Sequence, residues 1–167
     1  MSIQEFYAAA QAKEFARDFQ FRVRTLGPFT EDDLLYITTA SLPGKAISNQ
    51  AVPFMGLQFN VPGSVTYPGS DSWTVNFRCD EGINIRNKME NWLKEIFDDA
   101  TSTGKYGVPV EEASMDLLGK NMETIRRYNF TGIYPVTLAD MAYDIQGTGA
   151  PLTFDCTFAY QFWRLVG

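Results

Sequence analysis

Cys79 and Cys156 are the only thiols in the chain, and it contains no histidine. A Cys/His zinc site is close to excluded, because there is neither a CxxC step nor an imidazole to complete one. A Ser-His-Asp or Cys-His nucleophile system cannot be built at all. Both cysteines read as small buried apolar residues, and their positions alone do not argue for a disulfide. The acids cluster as Glu31-Asp32-Asp33, Asp98-Asp99 and Glu111-Glu112. Each run sits at a turn or helix end and reads as solvated surface charge. None nominates the spaced carboxylate pair that a glycosidase uses. Arg126-Arg127 is the only double-basic step, and neighbours in a strand point to opposite faces. The glycine-rich phosphate cradles, GxGxxG and GxxxxGK[ST], are absent. The expectation is a non-enzymatic protein with no cofactor and no metal.

The chain must therefore work through its surfaces, and composition says what kind. At 167 residues it is long enough for one domain with a real core, expected to span 1–167. Thirteen Phe and eight Tyr favour packed sheets over a helical bundle. The net charge of -6 disfavours gripping nucleic acid, which needs a basic footprint. The opening MSIQEFYAAAQAKEF lacks the basic start and apolar run of a signal peptide. No apolar run approaches the roughly 20 residues of a membrane span. The low cysteine count fits assembly in a reducing compartment, so the expected place of synthesis is the cytoplasm, with no membrane anchor.

Residues 1–18 read as a short helix or N-terminal arm. FQFRVRT alternates, with Phe19, Phe21 and Val23 on one face, which predicts a half-buried strand. LGPFTEDD reads as a turn and LLYITTA as a second strand. An excursion follows from Leu42 through Pro43, Gly44, Lys45, Ala46, Ile47, Ser48 and Asn49 to Gln50. The chain returns as MGLQFNV, and VPGSVTYPGSDS reads as a connection. SWTVNFRCD is the cleanest strand: Trp73, Val75, Phe77 and Cys79 share one face, Asn76 and Arg78 lie on the other. A helix over 83–97 carries Ile85, Met89, Trp92, Leu93 and Ile96 as one apolar stripe, with Asp80 placed to cap its start. Residues 100–121 read as a long loop with a short element near Met115–Leu118. METIRRYNFTGIYPVTL is extended, and Pro135 ends it or marks an edge. Residues 139–151 read as loop, and LTFDCTFAYQFW as one final strand with Asp155, Thr157 and Gln161 on its polar face. The predicted fold is mainly β (α+β): an antiparallel β-sandwich or barrel with one packed α-helix.

The ordered set of segments resembles the tail tube proteins of contractile-tailed (myovirus-type) bacteriophages. The residues that carry the resemblance are the Ala40, Leu42, Pro43 strand end, the Val52, Phe54, Met55 step after the excursion, and the Trp73, Thr74, Val75 strand. That strand leads through Asp80-Glu81 into a helix with Arg86 and Trp92, and Gly132 and Pro135 follow near the end. The match spans nearly the whole chain; it is loosest at 1–18 and 100–121, and Tyr67–Ser70 is longer than the pattern. The resemblance implies a virion structural protein, assembled in the host cytoplasm, whose hexameric rings stack into a hollow tube for genome delivery. Implied partners are further copies of itself, the tail sheath protein, baseplate tube-initiator proteins, the tail terminator and a tape measure protein in the lumen; DNA would pass without specific binding. On this reading Leu42–Gln50 is a stacking loop between subunits or rings. Asn76, Arg78, Asp155, Thr157 and Gln161 become candidates for the lumen.

Two other readings compete. A baseplate tube-initiator or a type VI secretion inner-tube-like protein would share the fold. A monomeric β-sandwich binding module, using Tyr67, Tyr106 or Tyr134 at its loops, comes from another class, and oligomeric state separates it from the tube.

Overall fold

The computed structural model describes residues 1–166. In chain order the elements are α1 (Ile3–Ala12), β1 (Phe21–Leu26), α2 (Glu31–Leu34), β2 (Ile37–Thr39), β3 (Ala46–Phe54), β4 (Leu57–Thr66) and β5 (Trp73–Arg78). There follow α3 (Asn84–Ile96), β6 (Phe97–Asp98), β7 (Thr103–Gly104), β8 (Glu112–Leu118), β9 (Thr124–Thr131), β10 (Tyr134–Leu138), β11 (Thr153–Ala159) and β12 (Phe162–Val166). Two four-stranded antiparallel sheets, β1-β8-β9-β12 and β10-β11-β5-β2, pack face to face. The Trp73 and Phe130 rings meet across the interface, 4.7 Å between centroids. The mainly antiparallel sandwich expected from alternation is what forms.

The inner face of the second sheet is aromatic because its strands alternate in register. Phe77 lies opposite Phe154, Val75 opposite Cys156 and Trp73 opposite Phe158, and all six are buried. Cross-strand pairs of this kind are the unit of sheet stabilisation. Helix α3 packs against β10 and closes an open side of the sandwich. Ile85, Met89 and Trp92 are buried in the core, while Leu93 and Ile96 are half-buried at its margin. The Trp92 ring lies between Phe29 and Phe158. Asp80 caps the helix as its position predicts: its Oδ1 accepts the Asn84 and Ile85 N–H groups at 2.8 and 3.4 Å. The helix is one residue shorter at each end than the expected 83–97, because Ile83 is left-handed (φ 56°) and Phe97 leaves as β6.

Several sequence expectations are corrected. Helix α1 covers only Ile3–Ala12, and none of its residues is buried. The segment read as a turn contains α2, held by a reciprocal cap between Thr30 and Asp33, and β2 shrinks to three residues as a result. Phe19 precedes β1 and is exposed; a bulge between Val23 and Thr25 turns Leu26 inward. The expected loop over 100–121 holds β8, which lies between β1 and β9 and starts earlier than the short element expected near Met115–Leu118; Ala113 and Met115 alternate with Ser114 and Asp116, and all four are buried. Pro135 does lie in an edge strand, β10, beside a bulge. The single strand expected over 152–162 is two: β11 belongs to one sheet and β12 to the other. At the corner the Tyr160 N–H donates to the Ser70 carbonyl (2.8 Å) and the Gln161 N–H to the Thr131 carbonyl (2.9 Å).

Candidate assembly surface

The segment expected to be a loop from Leu42 to Gln50 is the root and first half of a β-ribbon. Leu42, Pro43, Gly44 and Lys45 lead in, and Ala46, Ile47, Ser48, Asn49 and Gln50 already belong to β3. The connection read over 61–66 is likewise strand, the second half of β4. The ribbon turns at Met55-Gly56, both with positive φ (50° and 84°), the signature of a type I′ hairpin turn. Nine residues of β3 span about 30 Å.

Two tryptophans bolt its root to the sandwich. The Trp73 indole N–H donates to the Ser41 carbonyl at 2.7 Å. The Trp163 indole N–H donates to the Gly44 carbonyl at 3.1 Å, and the Lys45 ammonium sits 4.7 Å from the Trp163 ring centroid. Beyond the root the ribbon touches little but itself, and every residue from Asn49 to Thr66 is exposed. Its register places Val52 opposite Phe59, Phe54 opposite Leu57 and Gln50 opposite Val61, so one face is apolar but for Gln50. The other carries Asn49, Gln58 and Asn60, with the Asn49 amide donating to Asn60 Oδ1 at 3.0 Å. Pro53 and Pro62 fall at alternate ladder positions where the missing N–H would point outward, away from the paired strand. Both free edges of the ribbon are therefore interrupted, while its apolar face stands open to solvent.

The candidate lumen residues divide. Asn76, Arg78, Asp155 and Thr157 share the outer face of β5 and β11, where Asn76 lies opposite Asp155 and Thr74 opposite Thr157. The Asn76 amide donates to Asp155 Oδ1 at 2.7 Å, the Thr38 hydroxyl donates to Asn76 Oδ1, and the Thr74 and Thr157 hydroxyls lie 3.3 Å apart. Gln161 is a correction: it lies in the corner between β11 and β12, its amide directed at the Gly132 carbonyl (3.5 Å), and is not part of this face.

One charged cluster was invisible to sequence reasoning because its members come from three strands. Asp116 on β8 is fully buried, yet it lies on the outer face of its sheet. Arg22 of β1 and Arg127 of β9 are its direct cross-strand neighbours. Arg127 grips the carboxylate through Nε and Nη2 at 2.7 and 3.2 Å, and the Thr124 hydroxyl donates at 3.3 Å. Arg22 and Arg24 approach to 3.7 and 3.8 Å. Burial pushes the Asp116 pKa up, but the hydrogen bonds and charge of Arg127, with Thr124 and Arg22, outweigh it and hold the carboxyl below its usual range. The two thiols stay apart and free; burial raises both, Cys156 to about 12.

A cleft of about 530 Å³ opens beside α3, lined by Trp92, Ile96, Val108, Ile133 and two of the tyrosines considered above, Tyr106 and Tyr134. Tyr67 instead packs edge-on against Trp163 beneath Lys45. Among the described residues no group of His, Cys, Asp and Glu is arranged to hold a metal, and no helix is long and apolar enough to cross a membrane.

A family model described as phage tail tube protein matches residues 5–166. No curated protein sequence matches the chain. Among solved structures the chain is similar to the tube-terminating cap of the anti-feeding prophage, with TM-score 0.67, 16% identity and 92% of each chain covered. It is similar to the sheath/tube terminator of the extracellular contractile injection system PVC, with TM-score 0.65, 13% identity, and coverage of 93% of this chain and 99% of the other. A chain of the PVC sheath-tube complex gives TM-score 0.61 at 13% identity, over 99% of this chain and 98% of that one. At these identities the likeness is one of fold.

Proposed function

The chain belongs to the phage tail tube protein family, and we propose that it is the structural subunit of an inner tail tube, without catalytic activity. Six copies form a ring, rings stack, and the hollow tube carries the genome into the host cell. The observation that carries this reading is the β3–β4 ribbon. A two-stranded ribbon alone is marginal in water, and an apolar face this large calls for a protein partner. A second copy supplies one in every ring and between rings. Because proline interrupts both ribbon edges, the docking is face-on rather than by strand addition.

The polar face of β5 and β11 suits the channel wall. It holds Arg78 and Asp155 among threonines, and its polar groups bond laterally to one another. Such a wall offers phosphates few cations to replace their counterions, so DNA slides past. The tail sheath, baseplate initiator, terminator and tape measure complete the assembly in the virion.

Negative-stain electron microscopy of the purified protein over a concentration series tests this. Six-fold rings or hollow tubes are expected. Monomers alone, even when seeded with baseplates, would sink the tube and favour a monomeric module using the cleft at Tyr106 and Tyr134.

A further inference from the structure

We propose that the outer face of the β1-β8-β9-β12 sheet is a docking site for an acidic segment of a protein partner, received by Arg22, Arg24 and Arg127. The cluster holds a surplus of donors. Three guanidiniums bring roughly fifteen N–H donors to one carboxylate that accepts about four. Arg127 and Thr124 already supply three of Asp116's bonds. Arg22 and Arg24 stand at ion-pair distance, and their side chains are 48% and 41% exposed. Arg164 extends the same face, since it lies opposite Asn129, two residues from Arg127 along β9. The only other charged residue on these rows is Glu112 on β8. Cations outnumber carboxylates here, on a chain whose net charge is -6.

The buried Asp116 gathers the arginines and holds Arg127 by its fork; it leaves the cluster net positive. A second carboxylate would meet preorganised, partly spent forks, the geometry in which arginine binds oxyanions best. The cluster centres on one point rather than running as a stripe. Nucleic acid needs several phosphates neutralised along its length and would be repelled by the rest of the chain. An acidic peptide needs only a few. The face lies on the sheet opposite β5 and β11, so in the tube it would look away from the channel; the binding itself does not depend on ring formation.

The test is fluorescence anisotropy on the full chain at low salt, with labelled oligoglutamate, oligolysine and oligothymidylate as probes. Oligoglutamate is expected to bind, more weakly as salt rises. Arg22→Ser/Arg24→Ser should raise its Kd at least about tenfold, whereas Arg78→Ser on the other sheet should leave it unchanged. Circular dichroism and melting of the double variant, which keeps the Arg127–Asp116 bond, check that it folds. Three results overturn the proposal: no oligoglutamate binding, equal binding by the double variant, or tighter binding of oligothymidylate, which would assign the face to nucleic acid. Electron microscopy reads ring formation separately.

Discussion

Two antiparallel ribbons in this molecule carry the same sequence pattern and meet opposite fates. The β5–β11 pair alternates Trp73, Val75, Phe77 against Phe154, Cys156, Phe158, and all are buried. The β3–β4 pair alternates Val52 and Phe54 against Leu57, Phe59 and Val61, and all are at least 41% exposed. Alternation announces that a face needs covering; it does not say from where. The first ribbon is covered by its own chain. The second reaches about 30 Å beyond its bolts at Trp73 and Trp163, where nothing in this chain follows.

Replacing residues 49–62 with a short Gly-Ser turn removes the exposed ribbon and leaves the buried one intact. Rings and tubes should vanish completely from electron micrographs, while the melting temperature of the subunit shifts by only a few degrees. If tubes persist, the ribbon is not the assembly element. Matched aromatic truncations come next. Trp92→Ala should cost about 3–5 kcal/mol in denaturant melting of the subunit, because its ring is packed between Phe29 and Phe158. Phe59→Ala should change that melt by less than about 0.5 kcal/mol and yet impair assembly. Equal losses in both melts would mean the ribbon is folded against the sandwich in solution.

Gly27 refines the rigid side of the contrast. Its φ is +49°, and an added Cβ would lie 2.5 Å from the Trp92 ring. Gly27→Ala should therefore destabilise by about 2–3 kcal/mol through backbone strain and overpacking; a neutral melt would show that the ring moves freely.

These expectations also show what was legible. The cleanest strand, the helix with its Asp80 cap, and the edge position of Pro135 followed from alternation, spacing and capping, which are local. What escaped needed knowledge of a distant neighbour. β8 does alternate, Ala113 and Met115 against Ser114 and Asp116, but its polar face is buried by side chains of β1 and β9 that local sequence does not place there. The final strand breaks at Tyr160-Gln161 because the chain changes sheets there, which its uninterrupted alternation conceals. The Leu42–Gln50 excursion was noticed, but Pro43, Gly44, Pro53 and Pro62 disguised a ribbon as loops. The Asp116 cluster draws on β1, β8 and β9 and has no signature along the chain.

Two smaller effects follow from the same contrast. The folded pKa of Asp116 lies below its ordinary value. Its contribution is therefore present above the unfolded carboxylate pKa of about 4 and is lost as pH falls below that. Asp116→Asn should remove about 1–3 kcal/mol at neutral pH and flatten the acid limb of stability against pH. An unchanged acid limb would put the pH sensitivity elsewhere, with Asp33, held low by Lys88 despite its burial, the next to examine. Trp163→Phe should cost about 1 kcal/mol by losing the bond to the Gly44 carbonyl. Hydrogen exchange should then speed up in β3 and β4 more than in β5; uniform change across both would mean the bolt does not act on the ribbon alone.

The ribbon's marginal stability also bears on when a tube starts. A two-stranded ribbon is marginal on its own, so whatever order it gains on docking adds a cost to each contact it makes. For one subunit joining a finished ring, that cost falls on a preformed surface. For a first ring, every subunit bears it with no surface yet in place. Assembly should therefore be nucleation-limited: a lag in light scattering that lengthens steeply on dilution, disappears when preformed ends are added, and leaves free subunits soluble until a template is present.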